Sequence, residues 1–217
     1  MTDSLIRHQI YEQLRSDIMS CALSPGIEFR EGELAGRFGV SKSPIRDALQ
    51  RLEIEGLVEI QPRRGYKVAP ISIADAEDIL ELRGILEAGA IRVIVARASD
   101  ADLNALERLK VASTSDTKAF ADYNREFHCA ICRASGNARL AGSMGLLMDN
   151  YDRLCVVSLS ANQDNSSTIS DALEDHNTIV DAIRSRNAGA AIRASARHLK
   201  QSHDKIMRGL QNMPVVL

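Results

Sequence analysis

The sequence contains no tryptophan, four tyrosines and four phenylalanines in 217 residues. With so few aromatics the core must be built from Leu, Ile, Val and Ala, which suits packed helices. The four cysteines, Cys21, Cys129, Cys132 and Cys155, show no disulfide-scaffold spacing. That excludes a stapled secreted mini-domain and fits a reducing compartment. No apolar run reaches the ~18 residues of a membrane span. The opening, Met1-Thr2-Asp3-Ser4-Leu5-Ile6-Arg7-His8, lacks the basic-then-apolar order of a secretory signal. The expectation is a cytoplasmic protein with no membrane partner. Charge of either sign is not in large excess, because 27 Lys and Arg face 29 Asp and Glu. A net charge of −2 argues against a general polyanion binder. There is no internal repeat and no low-complexity tract.

The distribution of charge says more than the sum. Residues 37–51 carry Arg37, Lys42, Arg46 and Arg51 against Asp47 alone. Residues 61–67 carry Arg63, Arg64 and Lys67 with no acid. Two basic spots flanking a short strand-like segment make a footprint for phosphates.

Local patterns place these spots on elements. Leu5, Ile6, Ile10, Leu14 and Ile18 share one face of a helix over residues 5–20. Leu23-Ser24-Pro25-Gly26 ends it with turn chemistry. A second helix runs from Gly32 to Phe38 and stops at Gly39. Pro44 suits a first helical position, so Ser43 is expected to cap a helix running to about Glu55 with Ile45, Ala48, Leu49 and Leu52 inward. Leu57–Ile60 and Gly65–Val68 read as a hairpin. This is a helix-turn-helix with a wing. The N-terminal residues of its second helix reach base edges in the major groove. Arg46 is the base reader, since its planar fork matches the O6/N7 edge of guanine. Ser41, Lys42, Ser43 and Arg51 are placed for phosphates. Arg37 belongs to the same basic surface, and Arg63 and Arg64 lie at the wing tip. The bland reading of Arg46 is a surface ion pair with a neighbour such as Glu53 or Gln50.

Pro25-Gly26, Glu33-Leu34-Ala35, Phe38-Gly39-Val40-Ser41, Ser43-Pro44-Ile45-Arg46-Asp47-Ala48-Leu49, Glu55-Gly56-Leu57-Val58 and Arg64-Gly65-Tyr66-Lys67-Val68 resemble the N-terminal domain of the GntR family of bacterial transcription regulators. The resemblance implies a winged helix-turn-helix acting as a homodimer on a double-stranded, inverted-repeat operator. Family members often carry arginine where Lys42 stands; lysine keeps the charge without the bidentate geometry.

Ala69-Pro70-Ile71-Ser72 is the best domain boundary, giving a DNA-binding domain over 1–70 and a second domain over 71–217. Beyond it only helical patterns follow, at roughly 73–98, 100–112, 116–134, 138–160, 167–186 and 188–211. The fold class is therefore mainly α: three helices with a β-hairpin wing, then an all-α antiparallel helical bundle. Within the bundle Asn124 and His128 share a helix face, being four apart. His176 and His198 each lie 11 residues from Asn187. An antiparallel hairpin turning there sets them level, about 16 Å from the turn. Three imidazoles and one oxygen can converge, a donor set that suits a divalent metal such as zinc, nickel or manganese. The alternative is three unrelated histidines, each satisfied by a hydrogen bond. Cys129 and Cys132 read as core, and His8 and His203 as surface.

Leu82-Arg83 with Leu86-Glu87, Asn124 with Phe127-His128, Ser135-Gly136-Asn137, His176 with Ala182-Ile183, and His198-Leu199 resemble the FCD effector domain of FadR-like GntR regulators. The resemblance implies a metal held by Asn124, His128, His176 and His198, and a domain that binds effector and dimerises. Many members have aspartate where Asn124 stands. The neutral amide leaves the site more positive and more dependent on an anionic ligand. The expected effector is a small organic acid or sugar acid. Arg83 is either a second grip on that anion or a salt-bridge partner of Glu87 or Glu81.

The leading function is a ligand-responsive transcription repressor. A metal hydrolase on the same three histidines is the alternative. It needs a general base, and Asp175, 100° round the helix from His176, is expected to face elsewhere. An architectural DNA binder without a ligand is a third class.

Overall fold

In a computed structural model of the chain, which describes residues 3–110, 117–160 and 166–211, helix α1 (Asp3–Met19) buries Ile10, Tyr11, Leu14 and Ile18 on one face. The apolar stripe expected from Leu5 starts later: Leu5 is exposed, and Ile6 only edges the core. Helix α2 (Glu31–Phe38) ends at Gly39, whose φ of 65° is the left-handed conformation that glycine adopts without steric cost. Helix α3 (Lys42–Ile54) buries Ile45, Ala48, Leu49 and Leu52 against α1 and α2. Its cap is Ser41, not Ser43. Pro44 then falls inside the first turn, where its missing N–H removes no intrahelical bond.

The hairpin forms as expected, with β2 (Val58–Gln61) antiparallel to β3 (Gly65–Val68) and Ile60 opposite Tyr66. A further strand, β1 (Glu28–Phe29), pairs with the other edge of β3 and gives the order β1-β3-β2. Two residues carry no readable period, so this strand has no signal in the sequence. Gly65 is required there: at φ 114° an added Cβ would lie 2.5 Å from the Phe29 carbonyl oxygen.

These elements form one compact unit that ends at Ser72; a second begins at Ile73. The second contains α4 (Ile73–Arg97), α5 (Asp100–Ala105), a 3-10 turn over Leu106–Lys110, α6 (Thr117–Ala134), α7 (Ala138–Ser160), α8 (Ser166–Arg184) and α9 (Ala188–Gln211). The single helix expected at 100–112 is thus divided after Ala105, and residues 111–112 lie outside the described residues. So do the gap at 113–115 between two expected helices and most of the gap at 161–166. Ser99 caps α5, its hydroxyl accepting from Asp102 N at 3.2 Å while the Asp102 carboxylate accepts from Ser99 N at 3.1 Å. Helix α4 packs against α6, α7, α8 and α9, while α8 and α9 lie along one another. Cys129 and Cys132 are buried in the bundle, as expected. Among the described residues no helix is long and apolar enough to cross a membrane.

Candidate functional site

Helices α6, α8 and α9 each contribute one histidine to a single buried point. His128, His176 and His198 are nearly inaccessible, and each offers a ring nitrogen within 4.8 Å of the others. The level placement expected for His176 and His198 is realised: their Nε2 atoms lie 3.2 Å apart.

Two of the rings are oriented by a bond to Nδ1, and the third turns its Nδ1 toward a carboxylate. The Tyr123 hydroxyl donates to the Leu109 carbonyl at 3.0 Å. It has one proton, so His176 Nδ1, 3.1 Å away, must be the donor to its oxygen. His128 Nδ1 pairs with Glu87 Oε1, and the Ser195 hydroxyl donates to Glu87 Oε2 at 2.7 Å. His198 Nδ1 faces the Asp175 carboxylate at 3.6 Å. Asp175 is buried and turned toward the cluster, contrary to expectation. Its helix is crossed by α9, so a residue 100° from His176 still meets the ring of His198. His176 and His128 therefore carry their protons on Nδ1 and present Nε2 lone pairs inward, while Nδ1 of His198 faces a carboxylate that it does not reach by a hydrogen bond. A tethered Nδ1–H is the usual outer support of a metal-bound imidazole.

Burial sets the protonation states. It pushes the His128 imidazole down to about 3, with Arg83 adding to the shift and Glu87 opposing it. Burial also holds His176 well below the ordinary histidine range, with His198, His128 and Arg83 adding. His198 is lowered by burial and partly restored by Asp175. Burial works against the Glu87 charge, yet the His128 N–H, Arg83 and Ser195 hold its carboxyl below the usual carboxylate range. Burial drives the Tyr123 phenol up to about 12, so it remains a donor.

Arg83 is fully buried on α4. Its guanidinium lies 4.6 Å from the Tyr151 ring centre, its Nε is 3.5 Å from Glu87 Oε1, and Nη2 donates to His128 Nε2 at 2.7 Å. Nη1 has no partner. Of the two acids considered, Glu87 is the one Arg83 meets, at the long end of ion-pair distance. A cavity of about 40 Å³ adjoins the cluster, with Asn124, Tyr151, His198, Gln201, Ser202 and Lys205 in its wall. It is roomy enough for more than one water-sized group. Asn124 is buried with Nδ2 unpartnered. The residues missed from the sequence are Glu87 as an orienting group, Tyr123, Asp175 and Ser195. Only Glu87, four residues from Arg83, had a local signal.

In the first unit Ser41, Lys42, Ser43, Arg46, Arg51, Arg63 and Arg64 are exposed, as contact with a duplex requires. Arg46 makes a two-pronged contact with Glu31, 2.9 Å for each bond, and the Tyr66 hydroxyl donates to the same carboxylate at 3.2 Å. The partner is Glu31 on α2, not Glu53 or Gln50, because the turn folds α2 over the start of α3. These bonds to Arg46 and Tyr66 hold the Glu31 carboxyl below its usual range despite burial. Arg37 is paired with Asp17 at 2.6 Å. Arg51 stacks over the Tyr11 ring at 3.6 Å and pairs with Glu55. Both therefore also serve the fold. Arg63 takes a φ of 66° at the wing tip.

Comparison with known proteins bears on both units. Residues 6–68 match the family of bacterial regulatory proteins, gntR family, and residues 78–201 match the FCD domain family. The chain is 27% identical over 206 residues to the HTH-type transcriptional repressor RspR of Escherichia coli K12, covering 93% of this chain and 89% of that protein. It is 26% identical over 199 residues to the HTH-type transcriptional repressor GlaR of the same organism, covering 87% and 90%. Among solved structures, E. coli McbR/YncC has the same fold, with a TM-score of 0.74 at 20% identity over 94% of this chain and 97% of that one.

Proposed function

Because the chain belongs to the GntR family of bacterial regulatory proteins and carries an FCD domain, we propose that this transcription regulator is a homodimeric repressor whose helical domain senses a small carboxylate through a divalent metal. The family and its relatives are transcription regulators, so the hydrolase alternative lapses and the protein is not an enzyme. In this reading residues 1–70 bind an inverted-repeat operator and residues 71–217 bind effector and dimerise.

The observation that carries the sensor reading is the convergence of three buried imidazoles whose ring nitrogens lie within 4.8 Å of one another. The residues fit a metal. With the His198 proton on Nδ1, on the side of Asp175, the two Nε2 atoms 3.2 Å apart would both turn lone pairs to a cation between them. Two imidazoles on one tetrahedral zinc, each about 2.05 Å from it, stand roughly 3.3 Å apart. His128, His176 and His198 would hold the ion, with Asn124 on the same cavity wall as an oxygen donor. Zinc is the first choice, nickel and manganese the others. A bound ion supplies Lewis-acid positions that a carboxylate oxygen can complete.

Arg83 links the metal to the effector. Its Nη2 now satisfies His128 Nε2, so metal loading requires the guanidinium to release that nitrogen. Nη2 then joins the unpartnered Nη1, and the pair can grip a carboxylate in two-pronged fashion. At the other end Arg46 reads a base. Ser41, Lys42, Ser43 and Arg51 contact phosphates, Arg37 extends that surface, and Arg63 and Arg64 reach the backbone or minor groove from the wing.

The test is elemental analysis of the purified protein, then calorimetric titration of organic and sugar acids into the metal-loaded protein. The expected result is one metal per chain and an acid that binds the wild type but not Arg83→Lys. Lysine keeps the charge and loses the fork. No metal, or equal affinity in both proteins, would overturn the sensor reading.

A further inference from the structure

Among the described residues no acidic side chain lines the cavity beside the three histidines, whereas Lys205 does. An anion is the ligand such a wall suits. Phe120, Ala172 and Ile206 make another part of the wall apolar, as a short carbon chain requires. At about 40 Å³ the space takes only a small molecule.

One group in this wall asks for a particular kind of atom. Asn124 is 3% exposed, and its Nδ2 has no hydrogen-bond partner. An amide nitrogen bears two hydrogens and accepts nothing, so only an acceptor satisfies it. A buried donor left unmet is costly, and one set in the wall of a cavity marks where a ligand's acceptor belongs. Asn124 stands four residues before His128 on α6, so both side chains leave the same face of the helix. The carboxylate of an acid bound there is taken up by Arg83 and the metal. Nδ2 is left for the next acceptor along the chain, an oxygen on C2.

We propose that Asn124 recognises a C2 oxygen through Nδ2, and that the effector is a short acid with a hydroxyl or keto group at C2. This rests on the carboxylate sensor of the preceding subsection and names the class of acid it takes. The amide serves twice, its oxygen turned to the metal and its nitrogen to the ligand. A hydroxyl and a carbonyl oxygen both accept from Nδ2. The hydroxyl also has a proton to give, and the side-chain oxygens of Ser202 and Gln201 in the same wall are there to accept it. A plain acid of the same length leaves Nδ2 buried without an acceptor. A site built for a hydrogen bond rejects the analogue that lacks it for this reason.

Calorimetric titration of the zinc-loaded full chain with propionate, lactate and pyruvate tests this. The three share a carbon skeleton and differ only at C2. The wild type should bind lactate or pyruvate about tenfold or more tightly than propionate, and the tighter of the two identifies the group at C2. Asn124→Asp keeps an oxygen for the metal but, as a carboxylate, cannot donate. It should lose the preference and treat the three acids alike, with zinc content and circular dichroism as the checks on loading and folding. A wild type that binds the three acids equally, or a loaded Asn124→Asp chain that keeps the preference, would overturn the role of Asn124 and leave the carboxylate sensor standing. A zinc-loaded wild type that binds none of the three would overturn the short C2-oxygenated acid. A protein that takes up no metal would overturn both readings.

Discussion

Nε2 of His176 and Nε2 of His198 approach to 3.2 Å, with Tyr123 bonded to the far nitrogen of the first ring and the Asp175 carboxylate 3.6 Å from that of the second. In the proposed reading these two nitrogens are ligands of one divalent cation. Added zinc should therefore raise the melting temperature of chelator-treated protein. At 100 times its dissociation constant a ligand contributes about 2.7 kcal/mol. His176→Ala should lose that gain while remaining folded. An equal zinc response in wild type and variant would show that the ion binds elsewhere.

Acid should destabilise the chelator-treated protein. An unfolded histidine titrates near 6.5, about the model-peptide value. The folded pKa values of His128, His176 and His198 all lie lower because the rings are buried. The unfolded chain then binds more protons below that point. Stability is complete above pH ~6.5 and falls as pH drops through the window beneath it, by up to about 1.4 kcal/mol per pH unit for each such group. For His128 the loss levels off near its folded value of about 3. Urea denaturation at pH 7.5, 6.5 and 5.5 measures the trend, and a flat profile would contradict neutral buried rings.

Arg83 holds buried Glu87, so removing its charge leaves a carboxylate without a cation. Arg83→Met should cost about 3–5 kcal/mol by denaturant titration. Arg83→Met combined with Glu87→Gln should recover part of the loss. A cost below 1 kcal/mol, about the worth of an exposed pair, would show that the pairing carries little of the fold.

Glu31 holds Arg46 by two bonds at the start of the recognition helix. Arg46→Ala should relax preference at one base pair about tenfold and leave the salt dependence of binding nearly unchanged. Lys42→Ala should weaken all sequences alike and reduce the salt slope by about 1. Glu31→Gln should resemble Arg46→Ala, because it frees the guanidinium from its pose without removing it. Binding assays on operator variants at several salt concentrations separate these outcomes.

Gly209 lies against the backbone of Ser158, where an added Cβ would stand 2.7 Å from Cα. Backbone cannot give way as a side-chain tip can. Gly209→Ala should therefore destabilise the bundle by about 1–3 kcal/mol, and an unchanged melting temperature would contradict so close a packing of α7 and α9.

The amino-acid sequence determined the elements that local chemistry controls. Gly39 can turn left-handed, so α2 stops there; Ile45, Ala48, Leu49 and Leu52 recur at helical spacing, so α3 buries that face. Even the level placement of His176 and His198 was legible, because equal distances from a turn survive as sequence separation. Strand β1 left no trace, since two residues have no period and its pairing with β3 depends on chain brought back from elsewhere. The Glu31 partner of Arg46 lies 15 residues away across a turn whose closure only folding reveals. Asp175 was misjudged because rotation about its own helix is local, whereas the approach of α9 is not. The orienting roles of Glu87, Tyr123 and Ser195 were likewise settled by tertiary packing, since a hydrogen bond between helices requires two faces to meet and no single helix specifies which face it will find.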